Sequence, residues 1–168
     1  MGRRKGPRVW SERWFRLVLN LYPPFLFGRT RVLRVERDFR SCTVRVRPSF
    51  LTRNLQGSIF GGTIFSAADP FHALLYWQVF AHRGYRVQAW LKSARIDYRR
   101  PASSVLTLVF ELSEEDVDQA QAALDRDGRF AKVFKTEAID RGGQVCAEIH
   151  TEVYLRRPRE EQRDTSGF

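Results

Sequence analysis

The amino-acid sequence predicts an α+β fold in which an antiparallel sheet wraps a long central helix. Three observations carry that expectation. Period-two apolar segments recur on both sides of one long apolar stretch, from Gly61 to about Arg83. That stretch is dense enough in aliphatic and aromatic residues for a helix buried over most of its circumference. Only one further helical segment interrupts the later strands, and the turns between strands are short and polar. A chain of 168 residues with 43% hydrophobic content suits one domain, placed here at residues 10–155. A basic, flexible N-terminus at 1–9 and a polar, disordered tail at 156–168 are expected to flank it.

From Trp10 the apolar residues Trp10, Trp14, Leu17 or Val18, and Leu21 recur at helical spacing, and Pro23 and Pro24 then stop the helix. Basic residues beside two tryptophans would suit a membrane surface, but packing on the domain itself is the expectation for this stripe. The segments "RTRVLRV" and "SCTVRVRP" flank the polar turn "ERDFR" and read as a β-hairpin ending at Pro48. After the central helix, "VQAWLKSARIDYRRP" is expected to set Trp90, Ala94, Ile96 and Tyr98 on one side of a strand. "VLTLVFEL" groups Leu106, Leu108, Phe110 and Leu112. Ser113 and Asp116 form a capping-box pattern before a helix that Gly128 would end. A last hairpin turns at "DRGG", with Val145, Ala147, Ile149, Thr151, Val153 and Leu155 alternating on one face.

The balance of 29 Lys+Arg against 19 Asp+Glu gives a net charge of +10 and favours anionic partners. Nucleic acid is not expected among them, since no reader motif is present. Two distant cysteines fit a reducing, cytoplasmic setting, and no run approaches the ~18 apolar residues of a transmembrane segment. No cofactor is implied. The histidines His72, His82 and His150 lack ligand spacing, so no metal site is expected.

The stretch "NLQGSIFGGTIFSAADPF" holds one charged residue, Asp69. A lone carboxylate in an apolar run either caps a helix or does chemistry. Asp before Pro is a common helix start, so capping at Pro70 stands beside catalysis as an open alternative. Asp69 could activate water, and the free amides where Gly61 and Gly62 enter the helix suit a developing oxyanion. His72 could assist as a base, although a core histidine is the plainer reading. Arg95, Arg99 and Arg100 could pair with phosphates, and solvated strand edges explain them equally well.

Asn54, Gly57, Gly61, Gly62 and Asp69 resemble the signature of hotdog-fold acyl-CoA thioesterases of the phenylacetate-pathway type. "ARIDYRRPA" and "NLYPPF" are similar to a thioesterase-like branch of that superfamily catalogued as a domain of unknown function. The resemblance implies a hotdog fold and thioester hydrolysis, with acyl-CoA as substrate and a homodimer or homotetramer as the working form. Asp69 would then be general base or nucleophile, the Gly62 amide the oxyanion donor, and Asn54 of a facing subunit would orient water or the acid. One position departs from the pattern: Phe60 stands where the family has histidine. That departure favours a second reading, a module of the same fold that binds acyl-CoA or a fatty-acyl chain without hydrolysing it.

Overall fold

The computed structural model describes residues 6–158. The expectations for residues 1–5 and 159–168 lie outside the described residues. Helices α1 (Glu12–Leu21) and α2 (Pro23–Phe27) precede the hairpin β1 (Thr30–Val35) and β2 (Ser41–Val46). Helices α3 (Gly61–Ala68) and α4 (Phe71–His82) follow, then β3 (Gln88–Tyr98), β4 (Leu106–Glu111), α5 (Glu114–Asp127), β5 (Arg129–Asp140) and β6 (Val145–Arg156). The strands form one six-stranded sheet in the order β1-β2-β4-β5-β6-β3, with every pairing antiparallel.

Local chemistry explains most boundaries. Ser11 accepts the Trp14 N–H and starts α1. The capping box at Ser113 and Asp116 starts α5, and Gly128 ends it in the left-handed region at φ 69°. Alternation then sorts the strands: Leu106, Leu108 and Phe110 of β4 face the interior, as do Ala147, Ile149, Thr151, Val153 and Leu155 of β6. Against that concave face lies α4, with Phe71, Leu75, Tyr76 and Phe80 fully buried. Phe71 stacks between Phe25 and Phe110 at 5.5 and 4.9 Å, which ties α2, α4 and β4 into one core.

The apolar stretch is two helices rather than one. Pro70 has no N–H to donate, so the hydrogen-bond ladder fails there, although Asp69 (φ −48°, ψ −60°) and Pro70 (φ −91°, ψ −14°) keep helical dihedrals. The path of a single helix persists with a break in its bonding. Only α4 is enclosed all round. In α3 the buried positions are Ile64, Ala67 and Ala68, and the opposite side is open.

Two further expectations, for the α1 stripe and for β3, are corrected. The α1 stripe does not pack on the domain: Trp14, Leu17 and Leu21 face outward, and Phe15 fills the core instead. Of that set Trp10 packs inward, against Trp77 and Phe15, and Val18 is half-buried. The N-terminal arm is fastened before residue 10, because Gln78 Nε2 donates to the Arg8 carbonyl and Gln78 Oε1 accepts the Trp10 N–H. In β3 an irregularity at Lys92 shifts the register, so Trp90 pairs with Tyr154 while Ala94, Ile96 and Tyr98 pair with Thr151, Ile149 and Ala147. The extra residue moves Trp90 to the outer face, where its ring lies near Tyr154 and under Arg156.

The two ends of the sheet are finished differently. The free side of β1 is covered by α1: Asn20 donates to the Val32 carbonyl and accepts the Val32 N–H, and Arg16 donates to Leu33. Strand β3, 11 residues long, is the other edge and pairs with β6 alone. Its length and exposure are those of an edge open to pairing.

Candidate active site

The candidate site begins in the loop that enters α3. Residues 49–60 are knit to themselves and to the domain: Phe60 N–H donates to Thr52, and Ile59 N–H to Ala102. Asn54 is spent inside this loop. Its Oδ1 accepts the N–H groups of Gln56 and Ser58 at 3.0 and 3.1 Å, and its Nδ2 donates to Ser58 Oγ at 2.8 Å. Gly57 closes the turn at φ 84°, a conformation that favours glycine. Asn54 and Gly57 are thus explained by the shape of the loop.

Phe60 occupies the N-cap of α3 with extended dihedrals and offers no side-chain cap. The first amides of a helix have no acceptor within it. Among the described residues the Gly61 and Gly62 N–H groups find none elsewhere. They stand at the positive end of α3, a suitable place for an oxygen that becomes negative. Side chains approach both glycines closely. A Cβ on Gly61 would lie 2.7 Å from Tyr98 Oη, which donates to the Gly61 carbonyl at 3.0 Å. A Cβ on Gly62 would lie 2.4 Å from Phe60 Cε1.

Asp69 is seven residues beyond Gly62, so the two share one face of the helical path, with Phe65 between them. This is the open side of α3. Partial burial raises the Asp69 carboxyl above its ordinary range, and among the described residues its side chain accepts no hydrogen bond. The capping alternative is therefore corrected: a capping aspartate adopts extended dihedrals and bonds the next turn, and Asp69 does neither.

The structure places His72 in the core rather than on the open face: it is 2% exposed, stacks on Phe134 at 4.4 Å and bonds Thr151 Oγ1 at 3.3 Å. Burial pushes its pKa down to about 4, so it is neutral at physiological pH. Arg95 pairs with Asp97, and Arg99 pairs with Glu148, both at 3.1 Å. Arg100 has no ion pair among the described residues. All three are exposed, and such surface pairs are weak enough to exchange for phosphate. Tyr98 is the residue that sequence reasoning missed as a site component. Its hydroxyl holds the glycine turn across 37 positions of sequence, a contact that no local pattern announces.

The site is a face rather than a pocket. Phe50, Leu51, Leu55, Phe60, Phe65 and Tyr98 are all exposed around it, and the pronounced grooves of the single chain lie on other surfaces. An uncovered apolar area of this kind marks a surface that binds something.

A family profile described as "Domain of unknown function (DUF4442)" matches residues 11–155. No curated protein matches the sequence. Among solved structures, the chain is similar to PA5026 of Pseudomonas aeruginosa, a protein of unknown function described as a probable thioesterase. The TM-score is 0.79 at 20% identity, over 90% of this chain and 99% of that one. It is similar to thioesterase HI1161 of Haemophilus influenzae at TM-score 0.66 and 9% identity, over 94% and 98% of the two chains. It also matches the PaaI protein of the phenylacetic acid degradation operon of E. coli at TM-score 0.56 and 15% identity, over 86% and 92%.

Proposed function

The chain belongs to the DUF4442 domain family and has the hotdog fold, and on that premise we propose that it hydrolyses an acyl-CoA or related thioester. One observation carries the reading. Asp69, an unpartnered and partly desolvated carboxylate, lies on the same open helix face as the free Gly62 amide. A carboxyl raised by desolvation is a better base than an ordinary one.

In the proposed reaction the Asp69 carboxylate takes a proton from water as the water oxygen bonds to the thioester carbonyl carbon. The carbonyl oxygen becomes negative and accepts the Gly62 N–H, a contribution of about 2.7–4 kcal/mol where such a donor is well placed. The carbon–sulfur bond then breaks. Asp69 returns the proton to the departing thiolate, leaving a carboxylic acid and a thiol. Direct attack by Asp69 would instead give a mixed anhydride, which water opens to the same products.

The reading includes a second copy of the chain. Gly62 and Asp69 of one copy stand seven residues apart, about 10 Å along the helix path. One carbonyl would therefore meet both groups only across a homodimer, in which a second copy joined along the free β3 edge brings its own α3 face against the first. Pairing of two dimers would give a homotetramer. Both cysteines are buried and free, which fits the cytoplasmic setting retained in this reading.

Phe60 favours the second reading, an acyl-thioester binding module without turnover. Its ring rests against Gly62 where the family pattern has an imidazole. The deciding experiment follows thiol release from a panel of aliphatic and aromatic acyl-CoAs while calorimetry measures their binding. Turnover supports hydrolysis. Binding of the same compounds without turnover would move the assignment to the module, and neither would end both readings.

A further inference from the structure

A second surface, remote in sequence from the α3 face, has a different chemistry. Along α1, Trp14, Leu17 and Leu21 recur at i, i+3 and i+7 and all face solvent, with Leu21 63% exposed. Leu26 of α2 extends the apolar strip. Leu17, Leu21 and Leu26 line a groove of about 660 Å³ together with Arg13, Arg29, Arg31 and Arg47, so aliphatic and cationic groups share one concavity.

The arginines are arranged at a cost that the protein does not relieve internally. Arg31 and Arg45 are direct cross-strand partners, a like-charge pairing that destabilises a sheet. Arg47 joins them, because its N–H donates to the Arg29 carbonyl. Among the described residues none of Arg29, Arg31, Arg45 or Arg47 makes an ion pair, and Arg45 Nε is buried without a partner. Such a cluster calls for anions from outside. A second copy of the same face would bring the arginines against one another, so self-association through it is disfavoured.

From this juxtaposition we propose that the α1–β1–β2 face docks on an anionic phospholipid surface. Leu17, Leu21 and Trp14 enter the headgroup boundary, and Arg13, Arg31, Arg45 and Arg47 meet the lipid phosphates. The geometry is that of a helix lying in the plane of an interface: one apolar stripe, an aromatic ring beside it, and guanidinium groups along its flank. No helix among the described residues is long and apolar enough to cross a membrane, and the proposed contact is peripheral. It is independent of the hydrolytic reading, since no residue of the α3 face takes part.

The test is co-sedimentation of the full chain with sucrose-loaded vesicles, either phosphatidylcholine alone or phosphatidylcholine with about one third phosphatidylglycerol. The expected result is pelleting with the anionic vesicles and little with the neutral ones. The triple variant Arg13→Gln, Arg31→Gln, Arg47→Gln should weaken partition on the order of a hundredfold, at roughly fivefold per arginine. The pair Leu17→Ser, Leu21→Ser leaves every charge in place and should weaken it about tenfold or more. Leu21→Gln alone, at a solvent-facing position, guards against loss of fold and should show a smaller fall. Absence of pelleting, or equal pelleting with neutral vesicles, would overturn the proposal. So would leucine variants that bind like the wild type, since the arginines or the basic N-terminus would then act alone. Complete release by soluble glycerophosphoglycerol would show a site for free phosphate esters and overturn the lipid assignment. A fall in oligomer size in the leucine pair would make the face an interface between copies instead.

Discussion

Helices α3 and α4 continue one apolar stretch of sequence, yet they meet opposite environments. In α4 every side is covered, and its one ionisable first-turn residue, His72, is held neutral between Phe134 and Phe110. In α3 only half is covered, and the open half presents Gly62, Phe65 and, at the junction, Asp69. His72 lies three residues beyond Asp69. Burial acts on both in the direction that disfavours charge: it raises the carboxyl and lowers the imidazole. The difference lies in access. A titratable group enclosed on all sides serves packing, whereas a half-desolvated one on an open face remains available to water and substrate.

The contrast can be broken at several points. His72→Ala removes an aromatic-sized side chain from a closed core and should cost about 3–5 kcal/mol in denaturant unfolding, with kcat of the folded fraction unchanged. If kcat falls while stability holds, His72 belongs to the site after all. Acid should act through the same residue. His72 has an ordinary value of 6.5 and a folded value of about 4, so the unfolded chain binds the extra proton between them. Stability is then complete above 6.5 and declines as pH falls toward about 4. His72→Phe should flatten that part of the stability–pH curve, and a curve identical to the wild type would show that another group carries it. Asp69 has the opposite sign. Its raised carboxyl costs stability once ionised, so Asp69→Asn should leave the melting temperature unchanged or slightly higher at neutral pH.

Smaller effects are expected at the glycines. Gly61→Ala forces the Tyr98 hydroxyl from its bond and should cost about 1 kcal/mol or more. Gly62→Ala meets only the exposed Phe60 ring, which can turn aside, so its cost should be less than half a kcal/mol or so, within the ordinary surface range. Equal costs at the two positions would mean that Tyr98 does not hold the turn.

Much of the architecture was legible because its signals are local. Ser113 and Asp116 cap α5 three residues apart, Gly128 ends that helix, and alternation along β4 and β6 is a period-two pattern with one buried face. The illegible parts depend on neighbours distant in sequence. Whether the stripe at Trp14, Leu17 and Leu21 or the ring of Phe15 faces the core depends on how α1 lies along β1. The side of the sheet that Trp90 occupies depends on one extra residue at Lys92. Asp-Pro reads as a cap in sequence, yet with both residues in helical dihedrals the carboxylate turns away from that task. The glycine pair and Asp69 were legible as a motif, while the contact of Tyr98 with Gly61 and the burial of His72 needed the fold.

The most direct measurement is the rate of acyl-CoA hydrolysis by Asp69→Asn beside the wild type, with the melting temperature taken on the same samples. The account predicts a fall in kcat on the order of 10² to 10⁴, with melting unchanged or slightly raised. A variant that turns over its substrate as fast as the wild type would contradict the assignment of Asp69 as the catalytic carboxylate.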